Sequence, residues 1–136
     1  MKVYLDENLP AFLIQPLRVV YHRHEFGSPD DEGLGGVEDI PLLEALSERD
    51  YDAIVTKDRT QLKDPAERKA VIDSGLRWVG VSDKKLTGME FITVTTATLL
   101  AGMRFVFEHD PDEPVSYHLH TIPHTQTQRV RLRELR

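Results

Sequence analysis

Apolar positions along the chain fall into two rhythms. Lys2 to Leu5 is a short apolar run, long enough for one buried strand, and Asp52 to Thr56 and Arg77 to Ser82 repeat that signature. Tyr21 to Phe26 (YHRHEF) alternates and suits a further strand. Between these runs the spacing turns helical. Phe12, Leu13, Leu17 and Val20 share one face of a segment from Leu9 to Val20, which Asn8 caps and Pro10 opens. Leu42, Leu43, Ala45 and Leu46 do the same after Asp39, and Pro65 to Ser74 is helical up to a Gly75 cap. The longest helix runs from Met89 to Glu108, although its β-branched first half, FITVTTAT, is poor in helix propensity. Gly27 to Gly36 (GSPDDEGLGG) is turn chemistry throughout, hence a surface loop with solvated acids. After the break at Asp110 to Pro114, two alternating stretches, Val115 to Thr121 and Arg129 to Leu135, predict a β-hairpin.

Strands alternating with helices predict an α/β sandwich on a mainly parallel sheet of about four strands, followed by the long helix and hairpin. Its 136 residues fit a single domain, 1–136, able to bury a core without staples. There is no cysteine, which excludes disulfides and thiolate zinc sites. No apolar run approaches membrane-spanning length by this reading, and Met1-Lys2 leads straight into a strand, so a cytoplasmic protein is expected. The net charge of −6 is uneven: residues 115–136 carry four Arg and one Glu, or +3, which leaves −6 − 3 = −9 on residues 1–114. An acidic body disfavours broad binding of nucleic acid through its phosphates. It is compatible with a metal-dependent nuclease, since a bound cation inverts the local charge.

Parallel strands with right-handed crossovers bring their C-terminal ends to one rim. That rim would gather Asp6, Asp58 and Asp83, with Asp39 joining if its helix starts there. Carboxylates so gathered repel one another, and a hard divalent cation is the usual compensation. Mg²⁺ or Mn²⁺ would serve, and phosphodiester hydrolysis is the reaction that fits best. Asn8 and the Thr56 hydroxyl stand beside these acids as supporting groups. Each acid also has a bland reading: Asp39 as an N-cap, Asp83 as a turn residue, Asp58 as a cap and Glu7 as a complement to a helix dipole.

Three segments, YLDENLP, VEDIPLLEAL and IVTKD, resemble the PIN-like domains, relatives of the VapC-type toxin ribonucleases. The resemblance covers Met1 to about Val81, a family-like core of residues 1–83 ahead of a C-terminal helix and basic tail (84–136). It implies a Rossmann-like α/β/α fold, Mg²⁺- or Mn²⁺-dependent endoribonuclease activity on RNA and a cognate antitoxin that blocks the site. Residue by residue, Asp6 matches the first metal-binding acid, Asp39 the helix acid and Asp58 the acid of the T-x-D box. Where relatives continue that box as D-x-D-F, this chain has DRTQL, so Glu7, Asp64 and Asp83 compete for the place of a fourth acid. Toxin relatives often dimerise, which makes a homodimer the expectation.

The basic residues offer phosphate or antitoxin contacts: Lys57 and Arg59 beside Asp58, and Arg129, Arg131 and Arg133 on one face of the expected last strand. A plain solvent face explains that stripe as well. His118 and His120, with His124 nearby, could pair on a metal but read more simply as a solvated strand face. Two competing functions remain. One is a phospho-acceptor receiver domain with Asp58 as acceptor and Lys84 or Lys85 at the phosphate, and the other is a non-catalytic PIN-like binding module.

Overall fold

A computed structural model of the chain describes residues 1–82, 85–123 and 129–135. Five strands form one sheet: β1 (Lys2–Leu5), β2 (Glu25–Gly27), β3 (Ala53–Thr56), β4 (Arg77–Gly80) and β5 (Ser116–His118). Their order is β2-β1-β3-β4-β5, and every pairing is parallel. The helices are α1 (Ile14–Val20), entered through a 3-10 turn at Ala11–Leu13, then α2 (Pro29–Glu32), α3 (Asp39–Glu48), α4 (Thr60–Lys63), α5 (Pro65–Ser74) and α6 (Gly88–Glu108).

Side chains on a strand point alternately to opposite faces, which divides the core in two. Val3, Leu5, Val55, Val79 and Tyr117 pack with Leu17 of α1 and Leu99, Met103 and Val106 of α6. Tyr4, Ile54 and Trp78 pack with Leu42, Leu43 and Leu46 of α3 and Val71 of α5 on the other face. Because both faces are covered, β1, β3 and β4 read as uninterrupted apolar runs. The result is an α/β/α architecture, as expected, with five strands in place of about four.

The order of strands and helices also fixes the hand of each crossover. From β1 to β2 the chain moves one way across the sheet over the α1 face. From β2 to β3 and from β3 to β4 it moves the other way over the α3–α5 face, which is the same hand. From β4 to β5 it continues in that direction but over the α1 face, which is the opposite hand. Right-handed crossovers are the rule, so the last one is the exception to the uniform handedness expected from sequence. A receiver domain built from right-handed units would place that helix beside α3 and α5. With α6 on the α1 face, the α5 side of β5 is left open. There a cleft of about 310 Å³ lies between α5 and residues 111–116, lined by Val71, Leu76, Trp78 and Ser116.

Four local expectations are corrected. β2 spans only Glu25–Gly27, because Tyr21 and His24 belong to a turn: the Tyr21 hydroxyl donates to the Leu100 carbonyl, and the His24 ring stacks on Phe107 with centroids 3.8 Å apart. The glycine-rich stretch contains α2, with a capping box between Ser28 and Asp31. Two of its three acids are engaged, Asp31 with Arg18 at 3.4 Å and Glu32 with Arg49 at 2.8 Å, while Asp30 is exposed as expected. Among the described residues no hairpin forms: β5 pairs parallel to β4, and residues 129–135 are exposed and outside any strand. The alternation was real, but its partner lay elsewhere in the sheet. Finally, α6, with 21 residues, is long and apolar enough to cross a membrane. Its buried stripe is core here, and Thr93, Thr96 and Thr98 fold their hydroxyls onto carbonyls four residues back, so these hydroxyls find partners within the helix itself.

Candidate functional site

Asp6 directly follows β1, the strand flanked by β2 and β3, and its amide donates to the Val55 carbonyl of β3 at 2.9 Å. Its carboxylate is buried. Oδ1 accepts from the Glu7 amide at 2.8 Å, and Oδ2 accepts from the Thr56 hydroxyl at 2.8 Å and from the Asn8 amide at 3.3 Å. Burial raises the Asp6 carboxyl above its ordinary range. The Thr56 and Glu7 hydrogen bonds oppose that rise, and the charges of Asp39 and Glu7 add to it.

Thr56, fully buried at the end of β3, is the hub. Its hydroxyl donates to Asp6 and accepts from Asn8 Nδ2 and from the Asp58 amide, both at 3.0 Å. Asn8 is therefore not the expected helix cap. Its side chain ties the β1 exit to the β3 exit, accepting also from the Lys57 amide at 3.1 Å, while Pro10 takes the cap position without a side-chain bond.

Asp39 is the first residue of α3, and the cap position belongs to Glu38. Freed from capping, the Asp39 carboxylate accepts through Oδ1 from Gln61 Nε2 at 2.8 Å. Gln61 is fully buried on the one-turn helix α4 and accepts through Oε1 from the indole of Trp78 at 3.0 Å.

Beside Asp39 is an acid that the sequence analysis missed, Glu67, at the third position of α5. Burial, then the charges of Asp39, Asp64 and Asp58, push its carboxyl above the ordinary range, and a hydrogen bond with Asp39 adds to the shift. Its Oε2 is buried with no hydrogen-bond partner. The sequence Asp64-Pro65-Ala66-Glu67 reads as a capping box, which would turn Glu67 back onto the Asp64 amide. That amide already donates to Thr60 O at 3.1 Å, because α4 runs straight into α5. With the amide taken, Glu67 faces the other acids.

The structure thus brings Asp6, Asp39, Asp58 and Glu67 within electrostatic reach at the rim where β1 and β3 end. Asp58 Oδ1 is held by the backbone amide (2.9 Å) and hydroxyl of Thr60. Of the other candidates for a fourth acid, Asp64 caps α5 through Ala66 and Glu67 amides, and Glu7 accepts from the Gly36 amide at 2.9 Å. Asp83 lies outside the described residues, as do Lys84 and His124. Lys57 flanks the site with its ammonium 5.3 Å from the Phe91 ring centroid, and Arg59 is exposed. Arg129, Arg131 and Arg133 are exposed but share no strand face. His118 bonds the Ser116 hydroxyl at 2.9 Å.

These donors suit a hard divalent cation: they are oxygens almost throughout, and the Glu67 oxygen is an acceptor that the protein leaves unmet. Among the described residues, no three such side chains are grouped tightly enough to hold an ion as they stand. Asp39 is turned to Gln61 and Asp58 to Thr60. A family model described as a PIN like domain matches residues 1–83. No curated protein and no solved structure gives a significant match.

Proposed function

The chain belongs to the PIN-like domain family, whose members are commonly nucleases, and from that premise we propose that it is a metal-dependent endoribonuclease, the toxin of a toxin–antitoxin pair. The observation that carries this reading is the acidic rim itself: Asp39 lies within electrostatic reach of both Asp6 and Glu67, Asp58 within reach of Glu67, and the Glu67 Oε2 is buried without a hydrogen-bond partner. Buried polar groups are normally hydrogen-bonded, and Asp6, Asp39 and Asp58 are. The Glu67 oxygen is not, and its charged neighbours are of its own sign.

Asp6, Asp39, Asp58 and Glu67 would hold Mg²⁺ or Mn²⁺. When bound, such an ion supplies charge stabilisation at the phosphoryl oxygens and a water of lowered pKa. The chain's own residues do the rest. Thr56 and Asn8 fix the Asp6 carboxylate against rotation through the bonds described above. Lys57 and Arg59, one on each side of Asp58, offer cations to an RNA phosphate approaching an otherwise acidic rim. The antitoxin and a second copy of the chain are the protein partners in this reading, and Arg129, Arg131 and Arg133 are available to RNA or to an acidic antitoxin segment.

The test is cleavage of RNA with Mn²⁺ or Mg²⁺ present and after chelation. Activity that requires the ion and disappears in Asp6→Asn and Asp58→Asn is the expected result. Covalent labelling of Asp58 by acetyl phosphate would instead identify a phospho-acceptor, and neither outcome would leave a binding module. Growth arrest on expression, relieved by a protein encoded beside this gene, tests the toxin assignment separately.

A further inference from the structure

We propose that Gln61 and Trp78 are positioning residues for Asp39, an inference that rests on the metal-site reading above. The indole nitrogen of Trp78 can only donate. It therefore fixes the oxygen of the Gln61 amide towards itself, at 3.0 Å, and leaves the amide NH₂ no orientation but the one towards Asp39 Oδ1, at 2.8 Å. Both side chains are fully buried, so neither can exchange this partner for solvent. A glutamine held at one end only could turn its carbonyl to Asp39 and repel it. Held at both ends, it presents a donor permanently and fixes the carboxylate in one rotamer.

Two further observations show that this chain is aimed at the site. Gln61 sits on a single helical turn between Asp58 and Asp64, and it is the residue of that turn that is completely buried. The ring of Trp78 is itself pinned from the strand side: a Cβ on Gly80 would come within 2.4 Å of it, so only glycine at that position leaves the indole where it is. β4 thus supplies the indole, α4 the amide and α3 the carboxylate. Ligand-orienting partners of this kind typically change metal affinity by about 10- to 100-fold when removed.

Trp78 is the chain's one tryptophan, so its indole N–H gives a single, unambiguous NMR signal two hydrogen bonds from Asp39. The experiment titrates Mg²⁺ into the full chain, following that signal, and measures Mn²⁺ affinity by calorimetry, for wild type, Trp78→Phe, Gln61→Met and Gln61→Glu. Circular dichroism selects variants that fold. The indole signal of wild type should shift with the same saturation as ion binding. Gln61→Met should uncouple the two, and both Trp78→Phe and Gln61→Met should lose about tenfold in Mn²⁺ affinity. Gln61→Glu keeps the shape and the bond to Trp78 but faces Asp39 with an acceptor. A merely structural role leaves the new carboxyl to add charge beside the ion and predicts affinity at or above wild type, whereas positioning predicts a loss despite that charge. Folded variants that bind Mn²⁺ within twofold of wild type would overturn the inference and leave the metal site standing. A wild-type chain that binds neither ion would remove the reading underneath, and the inference with it.

Discussion

Replacing Thr56 by valine removes one hydroxyl and little volume, at the point where three segments meet. That hydroxyl donates to the buried Asp6 carboxylate and receives the Asn8 amide and the Asp58 backbone N–H. A hydrogen bond to a charged group is worth about 1.5–3 kcal/mol, and each of the two neutral donors loses roughly 0.5–1.5 kcal/mol of net stabilisation. The added methyl returns about 0.8 kcal/mol through burial. The expected net cost is about 2–5 kcal/mol, a sizeable part of the ~5–15 kcal/mol that holds a domain together. The cost should depend on pH. Burial already raises Asp6, and the Thr56 bond opposes that rise, so the variant's carboxyl titrates higher still. Between the two titrations the variant holds the extra proton, and the difference in stability therefore grows as pH rises and shrinks as pH falls through that window. Urea denaturation at a series of pH values measures it. A cost below about 1 kcal/mol at neutral pH, or one that grows on acidification, would refute the account of Thr56 as the hub.

Glu67→Gln should stabilise the metal-free protein at neutral pH. Its raised carboxyl stabilises the fold only when protonated, so the charged form weakens it as pH rises, and the gain should vanish below the ordinary glutamate range; thermal melts across pH decide this. With saturating Mn²⁺ the same substitution should reverse sign, because wild type then gains linkage stability, about 2.7 kcal/mol at 100 times the dissociation constant, that the variant gains more weakly. Gly80→Ala should cost about 1–3 kcal/mol by forcing the buried Trp78 ring aside, and equilibrium unfolding with Trp78 fluorescence would read both the loss and the displaced ring.

The parts of the fold that were legible in sequence are those where burial leaves no choice. β1, β3 and β4 are buried on both faces along their middles and so are apolar there on consecutive positions, and α5 is bracketed by Asp64-Pro65 and Gly75. β2 was overread because alternation in YHRHEF serves α6, through Tyr21 and His24, and periodicity does not say which neighbour a face is meant for. The same ambiguity produced the hairpin. α2 and α4 are a single turn each, too short for any period to show. At the rim, parallel topology was enough to bring Asp6, Asp39 and Asp58 towards each other. Glu67 was hidden by its likeness to a capping box, and only the hydrogen bond from the Asp64 amide to Thr60 shows that the box is not formed. Gln61 carries no sequence signature, since its role depends on Trp78 meeting it from another strand.

The late, opposite-handed arrival of α6 matters for how the polypeptide is made. When the ribosome has emitted the first 83 residues, the stretch that the family shares, the helix that shields Val3, Leu5, Val55 and Val79 beside α1 has yet to be synthesised. A nascent chain at that length carries a greasy flank and an unzipped β4 margin, both targets for chaperones or for a neighbouring copy. Translation stalled there should therefore yield aggregates, and translation carried on through residues 84–136 should prevent them.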